Sequence, residues 1–364
     1  MFDDGLDVPV SVSAAYSARP TLLLEGQQDG DASARLHAMT MRDDEHGLAS
    51  LELRFEDWRV TTAGAGFAFD AGSPWALGAA VQVACGAVGE QSNLFAGHVT
   101  ALERIASRDA PPEFVVLAED KLARARLARR SATYADQSVE DVVNAIASRL
   151  GLSVRIDGVP DARGTWVQLN ESDLAFLRRL LLRFDCGLRI VGDRLLAERL
   201  RPGGANPIPL AMGQRLRHAR VIADLAQQAT QTSFSGWDGL QGSPIVATST
   251  GVSPGPGQGS TGASILTEKF GARSEHLASF TCADTQEAQA LTDAAFDQRA
   301  RAFVRVHGIS EGDPALVCGV QVEIEGLGER FDNVYHVTST VHRFDMNEGY
   351  RTEFSAECAR LAER

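Results

Sequence analysis

Period-two alternation of apolar and polar residues is the feature that most restricts the fold of this chain. It recurs in two regions and places one face of each strand in a core. Leu51, Leu53 and Phe55 show it in the first region. The strands predicted there are 22–25, 36–41, 51–55, 81–85, 94–102 and 114–118. Those predicted in the second region are 210–225, 230–235, 320–325, 334–340, 341–344 and 350–356. Such series of short strands indicate sandwiches or small barrels.

The residues between the two regions have the pattern of helices with marked ends. Ser138-Val-Glu-Asp141 is a capping-box sequence ahead of an apolar helical pattern that stops at Gly151. A second helix is predicted from an N-cap at Asn170 to a left-handed Gly187. The hairpin predicted after it turns at Gly192-Asp193. The two similar units predict a small α+β domain.

The predicted fold class is therefore α+β and mainly β, in three domains. The boundaries are 1–110 for the first β domain, 111–205 for the inserted α+β domain and 206–364 for the second β domain. A stretch at about 239–264 is rich in Gly, Ser and Pro and is expected to be a mobile loop. A helix is predicted at about 284–302, with Asp284 or Thr285 as its cap.

Composition excludes several classes of protein. The five cysteines are scattered without a Cys-x-x-Cys pair, which favours reduced thiols. No signal peptide or membrane-spanning run is evident, so synthesis in the cytoplasm is expected. A formal charge of −13 argues against a dedicated nucleic-acid binder.

Motifs for chemistry are weak throughout the chain. The stretch 257–262 matches Gly-x-Gly-x-x-Gly, but its Gly/Ser/Pro context favours a linker over a dinucleotide site. His336 and His342 would lie about 20 Å apart on one continuous strand, too far for one metal ion. The 48 carboxylates contain no spacing that selects a glycosidase pair. We therefore predict no catalytic residue, no cofactor and no metal.

Two groups of residues are candidates for contact with a partner. One is a basic run that suits an anionic surface, with a solvated helix or loop face as the alternative. Its members are Lys121, Arg124, Arg126, Arg129 and Arg130. The other is the pair Trp237 and Asp238, for which packing and turn formation is the alternative.

Several segments resemble, in the same order, those of the late control protein D family of contractile-tailed phages, which is shared with the hub part of VgrG spikes. The segment 170–180, Asn-Glu-Ser-Asp-Leu-Ala-Phe-Leu-Arg-Arg-Leu, carries the resemblance best. The supporting segments are 94–102, 236–238, 312–316, 320–326 and 349–354, together with Phe331, Tyr335 and His342.

The resemblance implies a baseplate hub with two tube-like antiparallel β-barrels per chain. Three copies would form a pseudo-sixfold ring that joins a sixfold inner tube to a threefold spike around a central channel. The chain ends at Arg364 without the neck and needle fused in VgrG proteins, so a separate trimeric spike is expected. Baseplate wedge or sheath-associated proteins are the other expected partners, in a phage tail, a tailocin or an injection particle.

Two other functions stay open at the level of sequence. One is a tail-associated peptidoglycan hydrolase, and the other is an adaptor that loads effectors through the 239–264 stretch or the basic run. The acidic balance suits a channel wall that does not retain a polyanion, because like charges repel.

Overall fold

The computed structural model describes residues 19–62, 64–87, 90–200, 206–239, 241–252, 255–278 and 281–362. As the alternation predicts, the chain is mainly β with large antiparallel sheets. The first β region contains β1 (Thr21–Leu24), β2 (Gln27–Gln28), α1 (Gly30–Arg35), β3 (Leu36–Asp44), β4 (Ser50–Glu56), β5 (Arg59–Thr61), β6 (Gly64–Gly66), β7 (Ala80–Ala87), β8 (Glu90–Ile105) and β9 (Glu113–Glu119).

A helix-containing segment follows, here called the insert. It contains α2 (Ala123–Arg126), β10 (Arg129–Ser138), α3 (Val139–Leu150), β11 (Ser153–Asp157), β12 (Arg163–Ser172), α4 (Asp173–Leu182), β13 (Cys186–Val191) and β14 (Arg194–Arg199). The second β region contains β15 (Ile208–Ala211), β16 (Leu216–Ala223), β17 (Gln231–Asp238), β18 (Ser243–Ser249), β19 (Ser260–Thr261), α5 (Gly262–Phe270), β20 (Ser274–His276), α6 (Thr285–Arg301), β21 (Val304–Glu311), β22 (Gln321–Glu325), β23 (Asn333–Asp345), β24 (Gly349–Cys358) and β25 (Arg360–Leu361).

One 13-stranded sheet runs through both β regions of the described chain. Its order is β16-β21-β24-β23-β3-β4-β9-β8-β7-β1-β2, with β22 joined to β23 and β15 to β22. The two regions meet where β3 pairs antiparallel with β23, from Ser339 opposite Asp44 to Asp345 opposite Ala38. We call this β3–β23 pairing the seam. The predicted domain boundaries and the closure of either region into a barrel stay predictions.

The buried residues of these strands form separate cores in the two β regions. The first core includes Leu53, Phe55 and Val81 and also takes in Phe344 and Tyr350 from across the seam. The second includes Val306 and Val337. The insert has its own core around α3 and α4. The insert therefore packs around its own apolar residues rather than extending the sheet.

The first helix of the insert has the ends that the sequence predicts. Ser138 and Asp141 form the capping box, and Gly151 ends α3 in the left-handed conformation at φ 71°. The predicted hairpin at Gly192-Asp193 is also confirmed, because β13 pairs antiparallel with β14.

Both predicted ends of α4 are wrong. The N-cap is Ser172, whose hydroxyl accepts from the Ala175 N–H, while Asn170 lies in β12 with its N–H bonded to Ser131. At the other end Asp185, not Gly187, has the positive φ of 54°. Gly187 lies in β13, where a Cβ would stand 3.0 Å from the Glu45 carbonyl oxygen. The glycine is required for close backbone approach and not for helix termination.

The stretch 239–264 is not a structureless loop, so that prediction is wrong for its described residues. It contains β18, whose Ile245 and Ala247 are buried, and the start of α5. Its few apolar residues suffice because they pack on α6 in a small shared core. The helix predicted at 284–302 is confirmed as α6, with Asp284 as its N-cap. Within the described residues, the helices fall short of the length and apolarity that a membrane crossing requires.

Candidate functional site

The sheet presents one buried face and one polar face, and the polar face continues across the seam. Arg343 of β23 stands opposite Thr40 of β3, which in turn stands opposite Glu52 of β4. On the other side of β23, Val341 stands opposite Glu353 of β24. Directly opposed residues share a face of the sheet, and so do residues two apart on one strand, so these side chains lie in two neighbouring rows on one face across both β regions.

Lateral ion pairs fix the side chains of this polar face. The Arg343 Nε lies 2.7 Å from a Glu353 carboxylate oxygen, and its Nη1 donates to the Thr40 hydroxyl at 3.4 Å. In the first region, Arg54 lies 2.7 Å from Glu52 and 3.3 Å from Glu113. Exposed pairs contribute about 0–1 kcal/mol each. Their main effect is therefore to order a charged surface rather than to stabilise the fold.

On the opposite face of the sheet, beneath the seam, the side chains are buried and include polar groups. The His342 Nδ1 lies 2.9 Å from the Tyr350 hydroxyl and 3.1 Å from that of Thr352. Burial lowers the pKa of His342 to about 4, so the ring is neutral near pH 7. The sequence resemblance included His342, and the structure gives it a packing role beneath the seam.

A buried ionic cluster, here called the junction, lies where the insert meets both β regions. Glu45 at the end of β3 contacts His336 of β23 at 2.6 Å, and both side chains are buried. Arg301 of α6 donates two hydrogen bonds to Asp185 of the insert, at 2.6 and 2.8 Å. Burial raises the pKa of Asp185, and the hydrogen bonds from Arg301 oppose that shift. Burial likewise raises the pKa of Glu357, 3.7 Å from Arg301.

Further arginines attach the insert to the β regions. Arg178 donates to the His46 carbonyl at 2.6 Å, and Arg189 donates to the carbonyl of Cys318. Arg183 pairs with Glu287 at 2.6 Å, and Arg199 pairs with buried Asp297 at 3.1 Å. The insert is therefore joined to three different elements of the β regions and has a fixed position on them.

The basic run predicted as a partner contact is spread over the turn before α2, α2 itself and the start of β10. Lys121 pairs with Asp193, and Arg126 pairs with Glu119. Arg129 donates to the Asn170 carbonyl at 3.2 Å, and Arg130 lies 3.6 Å from Asp173. Arg124 is exposed. Four of the five side chains thus have partners within the same chain, and a role in partner contact stays a prediction.

The structure separates the roles of Trp237 and Asp238. The Trp237 side chain is 64% exposed at the end of β17, so the packing interpretation is wrong. The turn interpretation of Asp238 is confirmed, because its carboxylate accepts from the Gln241 N–H at 3.0 Å and its carbonyl from the Gly242 N–H at 2.8 Å. An exposed tryptophan keeps partner contact as a prediction for this site.

The glycine-rich stretch 257–262 packs against the chain itself. A Cβ on Gly257 would clash with the Cys358 Sγ, and one on Gly259 with the Leu361 carbonyl. β19 pairs with β25 just beyond. The glycines therefore allow close approach of the last strands, and the stretch is neither the predicted linker nor a phosphate cradle.

Metal chemistry has no support in the part of the chain that the structure describes. There, His, Cys, Asp and Glu side chains form no group of three or more suited to a metal ion. His336 and His342 belong to two different networks, with Glu45 and with Tyr350. Sequence reasoning missed the junction because its partners lie far apart, 291 residues for His336 and Glu45 and 116 for Arg301 and Asp185.

Comparisons with known proteins agree with this architecture. A family model described as the Alg8 N-terminal domain matches residues 36–345. The chain belongs to this family. No curated protein matches it by sequence.

Several solved structures share the fold of this Alg8 N-terminal domain family member over nearly its whole length. The 43 kDa tail protein of prophage MuSo2 from Shewanella oneidensis is 15% identical with a TM-score of 0.68, covering 94% of this chain and 98% of that one. A tail protein from Neisseria meningitidis MC58 is 10% identical with a TM-score of 0.64, covering 93% and 96%. An E. coli component of the type VI secretion system is 14% identical with a TM-score of 0.57, covering 94% and 79%. At these identities the likeness establishes a shared fold, that of phage tail proteins.

Proposed function

We propose that this chain is a structural baseplate hub of a contractile tail or injection system, of the late control protein D and VgrG-like type. The observation that carries the proposal is one sheet running through two β regions with a polar face that continues across the seam, in a fold shared with tail proteins. Three copies assemble into a ring of six β units. Such a ring matches a sixfold inner tube on one side and a threefold spike on the other.

The seam and the junction suit a part that transmits force during contraction. Seven opposed residue pairs join β3 to β23, so the two β units of each copy are linked by backbone hydrogen bonds. The insert is fixed outside the sheet by the buried Asp185–Arg301 pair. We place the insert on the outer side of the ring, toward baseplate wedge or sheath-associated proteins.

We place the polar face toward the central channel. Residues 111–205 carry 15 Lys and Arg against 13 Asp and Glu, whereas the rest of the chain carries 20 against 35. The β regions therefore hold the excess negative charge, which opposes retention of a passing polyanion. Unchanged payload passage after replacing Glu52, Glu113 and Glu353 by Gln would count against this orientation.

Solution mass tests the hub proposal. Sedimentation of the 39.0 kDa chain over a range of concentrations, alone and with the tube and spike proteins, is expected to give a threefold mass. A mass that stays at one chain under all these conditions contradicts the proposal. Lysis of cell walls by the purified chain in a turbidity assay would support the hydrolase alternative instead.

A further inference from the structure

A cavity lies between the insert and the β regions, beside the junction. On one side it is lined by the three-stranded sheet of the insert, β11-β14-β13, and on the other by Glu45, Cys318, Gly319 and His336. We call it the junction cavity. Its volume is about 260 Å³, whereas one molecule of liquid water takes up about 30 Å³. The junction cavity therefore has room for a ligand of amino-acid or dipeptide size.

The insert lines the junction cavity with one face of its sheet, and the opposed residues of that face form two rows. The first row contains Arg155, Leu196 and Arg189. The second row contains Asp157, Glu198 and Gly187. Residues of neighbouring rows are two apart along each strand, which separates the rows by about 7 Å. We call the first the basic row and the second the acidic row.

Side chains of the two rows already contact each other and keep capacity for a ligand. The Arg155 Nε lies 3.4 Å from a Glu198 carboxylate oxygen, and an Arg189 Nη lies 3.9 Å from the other. A guanidinium has five N–H donors and a carboxylate accepts several hydrogen bonds, so each of these groups can also bond a ligand. The Arg155 side chain is 60% exposed, and the basic row therefore reaches the mouth of the junction cavity.

The buried Glu45–His336 pair forms the wall next to the acidic row. A Cβ on Gly187 would stand 3.0 Å from the Glu45 carbonyl oxygen, which locates the pair there. The Glu45 and His336 side chains are only 8% and 4% exposed. The 2.6 Å contact between the His336 Nε2 and the Glu45 carboxylate places the ring proton on Nε2, so Nδ1 is an acceptor. Among the described groups of the chain, this Nδ1 has no hydrogen-bond partner. A ligand that donates to it removes the cost of a buried, unsatisfied polar atom.

The charges that line the junction cavity are balanced. The cations are Arg155, Arg189 and Arg199. The carboxylates are Glu45, Asp157 and Glu198. A simple anion meets three carboxylates there, and a simple cation meets three guanidinium groups. Only a ligand with both charges finds a partner at each row.

We propose that the junction cavity binds a dipeptide-sized zwitterion. The ligand ammonium lies at the acidic row, against Glu45, Glu198 and the His336 Nδ1, and the ligand carboxylate lies on Arg155 and Arg189. Consecutive Cα atoms are 3.8 Å apart, so the two charged ends of an extended dipeptide are separated by about 6 Å, close to the spacing of the rows. Such a ligand contacts the insert and the β regions together and strengthens their attachment. This inference goes beyond the hub proposal and needs only a single chain.

Titration calorimetry with glycylglycine as the probe tests the ligand class. We expect a dissociation constant of about 1 mM or tighter. N-acetylglycylglycine lacks the ammonium and glycylglycinamide lacks the carboxylate, so each should bind at least about tenfold more weakly, because a charged hydrogen bond is lost. Either analogue binding as tightly as glycylglycine overturns the proposal. The same conclusion follows if inorganic phosphate or glycerol binds equally well, or if glycylglycine at about 10 mM does not bind.

Two variants test the place of binding. Arg155→Gln removes an exposed charge from the basic row, and His336→Gln keeps a donor to Glu45 while removing the Nδ1 acceptor. Each should raise the dissociation constant for glycylglycine about tenfold. Arg163→Gln is the matched control, because Arg163 is an exposed arginine 3.8 Å from Asp141 on a different sheet of the insert. Unchanged affinity in Arg155→Gln refutes the site, even if His336→Gln fails to fold.

Hydrogen exchange gives an independent readout of the attachment. The Leu188 N–H donates to the Glu45 carbonyl at 2.9 Å, from the insert to the first β region. At a glycylglycine concentration ten times the dissociation constant, exchange at Leu188 should slow about tenfold, because the ligand binds only the closed junction. Binding without this protection refutes the proposed placement across the junction. A chain that binds glycylglycine and never trimerises overturns the hub proposal alone, and a trimer that does not bind it overturns only this inference.

Discussion

Breaking the buried Asp185–Arg301 pair is expected to be among the most destabilising single changes at the junction. Arg301→Met removes two hydrogen bonds to the Asp185 carboxylate, of 2.6 and 2.8 Å, and the ion pair to Glu357 at 3.7 Å. Both members of the main pair are almost fully buried. Removing one partner of such a pair costs about 3–5 kcal/mol, because the remaining carboxylate is left unpaired in a poorly solvated site.

Asp185→Asn is the complementary change, and asparagine tolerates the left-handed backbone found there. It leaves a buried guanidinium near Glu357, so we expect a similar loss. Either single change leaves the other partner buried and unpaired. The loss of unfolding free energy in the double variant should therefore be smaller than the sum of the two single losses, by about 2 kcal/mol. Arg155→Met, at the exposed pair with Glu198, is the matched control and should cost less than about 1 kcal/mol.

Denaturant unfolding followed by both circular dichroism and tryptophan fluorescence measures these differences. The two probes show whether the insert unfolds separately once its attachment is weakened. Hydrogen exchange at Leu200, whose N–H donates to the Asp185 carbonyl at 3.1 Å, reports on the junction itself. A loss below about 1 kcal/mol for Arg301→Met, or full additivity in the double variant, would refute the reasoning.

Three further outcomes are expected. Burial lowers the pKa of His342 from 6.5 to about 4. As the pH falls, the unfolded chain therefore binds a proton at this ring before the folded chain does. The stability contributed by the neutral ring is complete above pH 6.5 and is lost as the pH falls toward 4. The difference in unfolding free energy between wild type and His342→Gln should therefore shrink over that window, by about 3 kcal/mol at most, and a constant difference would contradict this. Gly97→Ala should lower the free energy of unfolding by about 1–3 kcal/mol because its Cβ would clash with the Glu119 carbonyl, whereas the Cβ of Gly30→Ala meets open space. Equal thermal midpoints for these two variants would contradict the prediction. Ser138→Ala should destabilise the insert by about 1 kcal/mol through loss of the α3 cap, and unchanged hydrogen exchange in α3 would argue otherwise.

Local patterns predicted the elements of the fold well. The alternation at Leu51, Leu53 and Phe55 identifies β4, and the Ser138 capping box identifies the start of α3, because both depend on residues adjacent in sequence. The prediction for α4 was correct for its apolar face and wrong at both ends. Several residues near each end can serve as a cap, and pairing of β12 with β10 decided the choice.

Less of the candidate site could be predicted from the sequence. Residue types alone indicate two candidate contact sites, the run from Lys121 to Arg130 and the pair Trp237 and Asp238. The order of three strands, β23, β3 and β4, has to be known before Arg343, Thr40 and Glu52 can be placed in one row. Alternation states which residues share the face of one strand, and it contains no information on which strand lies beside it.

The sequence by itself determined that this is a mainly β chain with a capped helical insert and an acidic balance concentrated outside that insert. Only the tertiary structure decided that the two β regions share one sheet and that Asp185 meets Arg301. The physical reason is the range of the interactions. Helix caps and strand alternation act over two to four residues, whereas sheet partners and buried ion pairs are selected by the packing of the whole chain.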